Sequence, residues 1–412
     1  MKWWIIVIVA AGFGQRATSA QEATPKAPAP AQVQVEIVQP PTPMSALGKA
    51  DLVYELHLTN FNSQPLTLSS IAVSGPHAAV TRFEGEALAR MIEPIGVAAA
   101  QQAPLILEPG RRSIAFMWLT FPSLAAVPPA LSHQLTFEPL LPDQPPLQTN
   151  VAPAAINQVP LMVIGPPLQG SRWLARNGPS NRSTHRRALR VAYGKPAISQ
   201  RYAIDWVQLG ADGRTYAGDE TRNESYHCYG ADVLAVAAGR VVDVNDGIPE
   251  NTPHSGKTAV PINFTTEAGN GVSLDLGSGR YAMYAHLIPG SITVQVGDMV
   301  ERGQVLGKVG NAGNATEPSL HFHIADGPSF VAAEGVPYAF DSVKVRAGEV
   351  VTDPSGSEHI EVSGDGQSRA LELVLENSVV DFGGHPRPRA LPVAPAALTP
   401  ATPGRAAAPI SE

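Results

Sequence analysis

Short runs of alternating apolar and polar residues, separated by Gly and Pro, extend over most of this 412-residue chain and restrict its folding. LVYELHLTN at 52–60 and SIAFMWLTF at 113–121 are two such runs. A period of two places apolar side chains on one face of a strand. The 37 Gly and 39 Pro residues favour turns over long helices. The sequence therefore predicts an all-β protein with antiparallel sheets.

The N-terminal part, residues 33–165, contains five of these runs at a spacing of about ten residues, with turn residues between them. They are VQVEIV (33–38), LVYELHLTN, LTLSSIAVSG (66–75), SIAFMWLTF and HQLTFEPL (133–140). The pattern predicts an immunoglobulin-like sandwich. Cys228 is the only cysteine, so the Cys pair of true immunoglobulin domains and any internal disulfide framework are excluded. Residues 33–165 carry no catalytic or metal-binding motif, so a spacer or adhesion module is the predicted role.

The two ends of the chain predict segments outside the fold. Residues 1–20 have the basic start, apolar run and small-residue site of a secretory signal peptide. Residues 21–32 and 390–412 are rich in Pro and Ala, which predicts a flexible leader and a disordered tail. An exported chain with one unpaired cysteine fits a bacterial envelope, secreted or periplasmic, with no transmembrane anchor after signal cleavage.

Charge limits the partners of the protein. The 29 basic and 36 acidic residues give a net charge of -7, which argues against a nucleic-acid binder. Residues 166–199 are predicted to be a basic connector, because six Arg fall within nineteen residues that contain no acid. Two interpretations remain open for this patch: contact with an anionic polymer such as cell-wall glycan or with the acidic face of the next domain, or internal pairing in a solvated loop.

The functional signal lies in residues 200–350, and residues 351–389 are expected to form a C-terminal β extension. The sequence predicts a strand over 200–209 and a hairpin over 271–287 with its turn at 277–279. VGDMVERGQVLGKVG at 296–310 predicts short strands around tight Gly turns. With VLAVAAGRVV (233–242), YAMYAHL (281–287) and LHFHI (320–324), in this order, the segment resembles the LytM/lysostaphin-like zinc metallopeptidases over about 130 residues.

The resemblance implies an antiparallel β core that hydrolyses peptide cross-links of bacterial cell walls. Amide hydrolysis at neutral pH needs an activated water and an oxyanion stabiliser, and zinc with three protein ligands supplies both. The family carries a His-x-x-x-Asp motif, a Tyr-x-His-Leu motif and a His-x-His motif. By position, Asp205 and His321 are the implied zinc ligands, and His286 is the implied proton-handling residue.

Two positions depart from the family pattern. Arg201 stands where the first zinc-binding His is expected, and Ser319 replaces the first His of His-x-His. An arginine side chain offers no lone pair to zinc. Residues 201 and 205 share a face of the predicted strand over 200–209, so Arg201 is expected to form a salt bridge with Asp205 in place of the metal. Ser319 can hold water but is a poor general base.

Three replacements for the missing ligand remain open: a shift of the last strand by two residues, recruitment of His323, or recruitment of a distant His. Among the distant candidates His185, His227 and His254, His185 is the best placed, in the loop before the strand. With two His lost, the sequence predicts weak zinc binding and impaired catalysis by an envelope protein that acts on or binds peptidoglycan peptides. The alternative is a non-catalytic protein that binds the wall or regulates an amidase, with a cell-wall hydrolase as its partner.

Overall fold

The computed structural model describes residues 27–96, 105–141, 143–353 and 358–383, and these residues form an all-β protein in two parts. The predicted fold class is confirmed. The predicted signal peptide, most of the predicted leader and the predicted C-terminal tail lie outside the described residues. Within the described ranges no helix has the length and apolarity needed to span a bilayer.

The N-terminal part consists of short strands, one short α-helix and a 3₁₀ turn at Leu124–Ala126. The elements are β1 Ala29–Pro30, β2 Val33–Glu36, β3 Met44–Ala46, β4 Lys49–Asn60, β5 Leu66–Ser74, β6 Ala79–Glu84, α1 Gly85–Ala89, β7 Ile92–Pro94, β8 Ile106–Leu107, β9 Arg112–Phe121, β10 Ala130–Phe137 and β11 Leu147–Ala155. One sheet has the order β1-β11-β10-β5-β6 with β8 on β5, and the other has the order β2-β4-β9-β7 with β3 on β4. The five predicted runs appear as β2, β4, β5, β9 and β10. The immunoglobulin-like topology stays a prediction.

Strand β4 is buried on both faces. Leu52, Tyr54 and Leu56 on one face join the core between the two sheets. Val53 on the other face belongs to the core of the second part of the molecule, against which Trp118 of β9 also packs. The outer face of the β4–β9 pair is therefore a contact surface between the two parts.

The second part carries most of the strands and a single turn of α-helix. Its elements are β12 Met162–Ile164, β13 Gly170–Arg176, α2 Thr184–Arg187, β14 Arg190–Ala192, β15 Lys195–Ala197, β16 Ile204–Gln208, a 3₁₀ turn Asn223–Ser225, β17 Asp232–Leu234, β18 Gly239–Asn245, β19 Asn270–Asp275, β20 Tyr281–Leu287, β21 Met299–Val300, β22 Val305–Lys308, β23 Leu320–Ala325, β24 Tyr338–Phe340, β25 Val343–Thr352, β26 Glu358–Arg369 and β27 Ser378–Phe382. Ten strands form one sheet in the order β21-β18-β19-β20-β23-β16-β13-β27-β25-β26. Strand pairs β12-β24, β14-β15 and β17-β22 complete this part.

Three local predictions are settled by the strand bounds. The predicted hairpin is formed by β19 and β20, and Gly277 and Gly279 at its turn have φ of 82° and 65°. The strand predicted over 200–209 begins only at Ile204. The predicted connector contains β13, which lies inside the large sheet between β16 and β27, because the apolar run Trp173–Ala175 is buried there.

Candidate metal centre

A polar cleft of about 310 Å³ lies against the middle of the large sheet. Strands β13, β16, β20 and β23 contribute to it, and the segment around α2 lies on its other side. The residues lining it include Arg176, Asn177, His185, Arg190, Asp205, Glu267, His286, Glu317, Ser319, His321 and Phe330. Asp205, His286 and His321, three of the residues implied by the family motifs, lie here with their side chains close together. Ser319 also lines this cleft.

Sheet pairing brings Asp205 and His321 together. Strands β16 and β23 are antiparallel with Asp205 opposite His321, and β20 and β23 are antiparallel with Ala285 opposite His321. Neither ladder contains a register shift along β23. The pairing thus places His321, and not His323, opposite Asp205, which argues against the two-residue shift considered for this strand.

Three donor side chains converge in the cleft: His185, Asp205 and His321. His321 Nδ1 lies 2.9 Å from Asp205 Oδ1, and His185 Nε2 lies 3.3 Å from Asp205 Oδ2. All three donor atoms lie within 4.8 Å of one another. In the part of the chain that the structure describes, these are the potential metal ligands whose donor atoms lie close enough together to share one ion. His185, which precedes Asp205 by twenty residues, therefore lies where it could supply a third donor beside Asp205 and His321.

Asn177 fixes the orientation of two of these donors. Its backbone carbonyl accepts a hydrogen bond from His185 Nδ1 (2.9 Å), which leaves the lone pair of neutral His185 on Nε2, facing Asp205. Its side-chain amide donates to Asp205 Oδ2 (3.0 Å). Asn177 has a φ of 47°, in the left-handed region that Asn tolerates better than most residues. Such outer contacts to metal-binding groups usually set their geometry.

The electrostatics of the cleft favour a cation. Burial alone would raise the pKa of Asp205, but His185 and His321 outweigh it and hold that pKa well below its usual range. Burial alone would lower the pKa of His185, and the Asp205 carboxylate outweighs it and raises the pKa. A buried carboxylate with two imidazoles therefore holds a positive charge, either a proton or a metal ion.

The donor set fits zinc. Two ligands at about 2.0–2.1 Å from a tetrahedral zinc ion are about 3.3 Å apart. The separations of 2.9 Å from His321 Nδ1 to Asp205 Oδ1 and 3.3 Å from His185 Nε2 to Asp205 Oδ2, which involve different carboxylate oxygens, are of this order. Two imidazole nitrogens and one carboxylate oxygen are also a common catalytic zinc set that leaves one position open. His185, Asp205 and His321 are accordingly the residues that would hold the ion.

His286 is placed as a neutral base beside the donors. Its Nδ1 donates to the carbonyl of Ala312 (2.8 Å), so the lone pair lies on Nε2. Burial, with a smaller contribution from His321, lowers its pKa to about 4. The residue has a φ of 68° at the end of β20, where the pairing with β19 is irregular. Its ring centroid lies 5.6 Å from that of His321.

His323 contacts His321 from the side opposite Asp205. His321 Nε2 and His323 Nδ1 share a hydrogen bond of 3.0 Å, while His321 Nδ1 faces Asp205. Both imidazoles pack on the ring of Phe330 with centroids 5.3 Å away. His323 therefore lies outside the donor cluster, and its geometry suits orienting His321 rather than replacing a ligand.

The predicted salt bridge between Arg201 and Asp205 is wrong. Arg201 lies in the turn before β16, so the two residues do not share a strand face. Its guanidinium is buried against Glu55 of β4 (3.0 Å) and Glu334 (2.8 Å), and it donates to the carbonyl of Gly335 (2.9 Å). The side chain at position 201 is thus a structural cation pointing away from the cleft.

Ser319 lies on the cleft wall, where its backbone bridges Gly310. Two ion pairs also line the cleft: Arg176 with Glu317, and Arg190 with Glu267 (2.8 Å). Both glutamates are buried. These charged pairs and Asn177 had no motif to mark them, although the dipeptide Asn177-Gly178 is a turn signal.

The other candidate ligands lie apart from the cluster. His254 Nε2 is 3.9 Å from Glu317, and His227 is near Gly210, outside the cleft lining. Cys228 is buried, and its thiol donates to the carbonyl of Pro318 (3.1 Å). Burial raises the pKa of this thiol to about 12, so it is not a thiolate ligand at neutral pH.

The fold and the site define an all-β protein with a candidate His/Asp/His metal centre in a polar cleft, and one segment of it matches a known family. Residues 225–332 match the model of Peptidase family M23. The resemblance to LytM/lysostaphin-like peptidases is confirmed over this segment, which contains His286, Ser319 and His321. Asp205 and His185 precede it.

Comparison with solved structures finds matches that include three M23 proteins. A catalytic-domain mutant of the prophage-encoded M23 protein EnpA from Enterococcus faecalis is 20% identical, with 41% of this chain and 92% of that chain covered and a TM-score of 0.25. The lysostaphin catalytic domain from Staphylococcus simulans is 24% identical, with coverages of 30% and 86% and a TM-score of 0.20. A putative peptidase M23 from Pseudomonas aeruginosa is 17% identical, with coverages of 64% and 88% and a TM-score of 0.22. No curated protein matches the sequence.

Proposed function

We propose that this protein is a zinc-dependent peptidase of the bacterial cell envelope that binds and cuts peptides of peptidoglycan. The observation that carries the proposal is the position of His185, whose Nε2 lies 3.3 Å from Asp205 and supplies the ligand that Arg201 cannot. The match of residues 225–332 to Peptidase family M23 supports the substrate class. The apolar N-terminus supports export, with secreted or periplasmic protein as the result.

Zinc, when bound, supplies a Lewis acid for the peptide carbonyl and lowers the pKa of a bound water. His286 accepts the proton of the attacking water at Nε2, because its Nδ1–H donates to the carbonyl of Ala312 and its imidazole is neutral at pH 7. The Ser319 hydroxyl can orient water or substrate by hydrogen bonding, but it cannot accept a proton at neutral pH. Turnover is therefore slower than it would be with a second His at that position.

The second candidate is a non-catalytic protein that binds the wall or regulates an amidase. Ser319 favours it, since one of two proton-handling positions lacks a titratable group. Peptidoglycan is the partner in both cases, and the regulatory candidate adds a cell-wall hydrolase.

The experiment is incubation of purified wall material with the protein, with and without a chelator, followed by analysis of released peptides. We expect slow, chelator-sensitive release that is lost in His286→Ala and raised about 100-fold or more in Ser319→His, the usual contribution of a general acid or base. Zinc titration of His185→Ala should show an affinity more than about 100-fold below the wild type, because loss of a ligand exceeds loss of an outer contact.

His227→Ala is the matched control, since this imidazole lies outside the donor cluster. Chelator-insensitive release, or full zinc affinity in His185→Ala, contradicts the proposed centre. If zinc binds to the wild type but neither the wild type nor Ser319→His releases peptide, the non-catalytic candidate is supported.

A further inference from the structure

The segment that carries His185 is attached to the N-terminal sandwich. Arg186, the next residue, is fully buried against the outer face of the β4–β9 pair. Its guanidinium donates to the carbonyls of Tyr54 (3.0 Å) and Met117 (2.9 Å) and lies 3.2 Å from Glu55. Its carbon Cζ also lies 5.5 Å from the ring centroid of Phe116. One side chain thus contacts both strands of the sandwich face.

Neighbouring residues strengthen this attachment. Arg187 Cζ lies 4.3 Å from the centroid of the Phe116 ring, and Asn181 Nδ2 donates to the carbonyl of Phe116 (2.9 Å). The α-helix α2 is a single turn, and a helix of this length has little stability of its own. Its position therefore depends on the surface to which it is attached.

Successive residues of a helical turn point about 100° apart, so one backbone can serve two partners. In α2, Arg186 points into the sandwich face and His185 points to Asp205. Holding the first side chain fixes the Cα position of the second.

Glu55 of the sandwich also binds the turn that precedes Asp205. Glu55 is 3% exposed and binds Arg186 and Arg201 together, and Arg201 is completed by Glu334. Arg201 lies four residues before Asp205 in the turn that leads into β16. These four side chains, Glu55, Arg186, Arg201 and Glu334, form what we term the buried charge network, with two positive and two negative charges.

We propose that the N-terminal sandwich is a structural part of the metal centre, with Glu55 and Arg186 as positioning residues for the ligand His185. The proposal deepens the proposed function and rests on its zinc site. The sandwich is then not a spacer: without its β4–β9 face, His185 keeps its hydrogen bond to Asn177 but loses the attachment of α2, and the donor set is weakened.

The test is zinc affinity of the full chain, measured with Zn²⁺ against a chromophoric chelator, together with the absorption spectrum of the Co²⁺ form. Arg186→Met keeps the apolar stem and leaves Glu55 paired with Arg201. We expect zinc affinity to fall about 10- to 100-fold, as for other outer contacts of metal ligands, and the Co²⁺ spectrum to change. Glu55→Gln should act in the same direction.

Leu135→Ala is the matched control, since Leu135 is buried in β10 of the other sandwich sheet. This variant destabilises the sandwich without touching α2, and its zinc affinity should stay within about twofold of the wild type. Wild-type affinity in folded Arg186→Met overturns the proposal while leaving the zinc site intact. No zinc binding by the wild type overturns both the site and this proposal.

A second measurement needs only the wild type. If the sandwich positions a ligand, metal binding and the sandwich face are coupled in both directions. Zn²⁺ should then slow amide hydrogen exchange in α2 and at 54–57 and 115–118 more than in β10. Slowing confined to the strands of the large sheet contradicts the coupling, even if Arg186→Met and Glu55→Gln fail to fold.

Discussion

Two buried polar clusters lie side by side in this molecule, and residues 185 and 186 belong to one each. In the buried charge network, two guanidiniums pair with two carboxylates at distances of 2.8–3.2 Å. In the cleft, the donor atoms of two imidazoles and a carboxylate lie within 4.8 Å of one another. The charges of the first cluster balance one another without a ligand, whereas the carboxylate and imidazoles of the second favour a cation.

The difference shows how a structural cluster is told apart from a binding site. A buried ionic group with all charges matched holds elements together, and its loss leaves an unpaired charge. A carboxylate between two imidazoles is instead stabilised when a proton or a metal ion lies among them. Position 201, a ligand position by family pattern, belongs to the first kind, and position 185 belongs to the second.

The largest effect is expected on the free energy of unfolding, when Arg201 of the buried charge network is replaced by the His of the family motif. Arg201→His, which restores the family motif, removes a buried charge from Glu55 and Glu334. We expect the free energy of unfolding to fall by about 3–5 kcal/mol, as when one partner of a buried pair is lost. Zinc affinity should not rise, because the side chain at 201 points away from the cleft.

Chemical denaturation and zinc titration measure the two effects. The control is Arg82→His, since Arg82 pairs with Glu84 on the surface of the sandwich and the change should be below about 1 kcal/mol. An Arg201→His variant with wild-type stability and tighter zinc binding would show that position 201 has kept its ligand role.

An intermediate effect is expected inside the cleft. Asn177→Gly removes the amide that binds Asp205 but keeps the backbone carbonyl that binds His185, and it relieves the left-handed conformation. Zinc affinity should fall about 10- to 100-fold. Asn377→Gly is the matched control, because Asn377 has a φ of 62° and lies outside the cleft lining. Equal zinc affinities in the two variants would exclude a role for the Asn177 amide.

The smallest effect is expected at the edge of the sandwich contact. Glu93 pairs with Arg187 at 3.3 Å, near the surface. Glu93→Gln should change the free energy of unfolding by less than about 1 kcal/mol and zinc affinity by less than about twofold. Equilibrium unfolding and the same zinc titration check this. A loss as large as that of Arg186→Met would mean that surface pairing, and not the buried network, holds α2.

The sequence predicts much of the sheet and part of the site. Asp205 and His321 are found because their motif residues lie on paired strands, where a fixed register brings them together. His286 is found because it lies near the end of β20, in a hairpin that the nearby turn residues predict. In each case the spacing along the chain determines the spacing in the fold.

The remaining ligand could not be ranked first because its position is set by tertiary contacts. His185 precedes Asp205 by twenty residues, without a periodic pattern, and reaches it through the attachment of α2 to β4 and β9. The prediction for Arg201 failed because it assumed a strand over 200–209. Glu55 follows the alternating pattern of a solvent-facing residue, and only the second part of the molecule buries it.

The position of β27 in the large sheet has a consequence for synthesis of the protein. Strand β13, which ends one residue before Asn177, lies between β16 and β27, and β27 comes from residues 378–382. When His185, Asp205 and His321 have all been synthesised, the growing chain still lacks β27, one of the two neighbours of β13. Maturation of the cleft therefore waits for almost the entire polypeptide, so a translation product that stops before β27 is expected to lack a fully formed cleft.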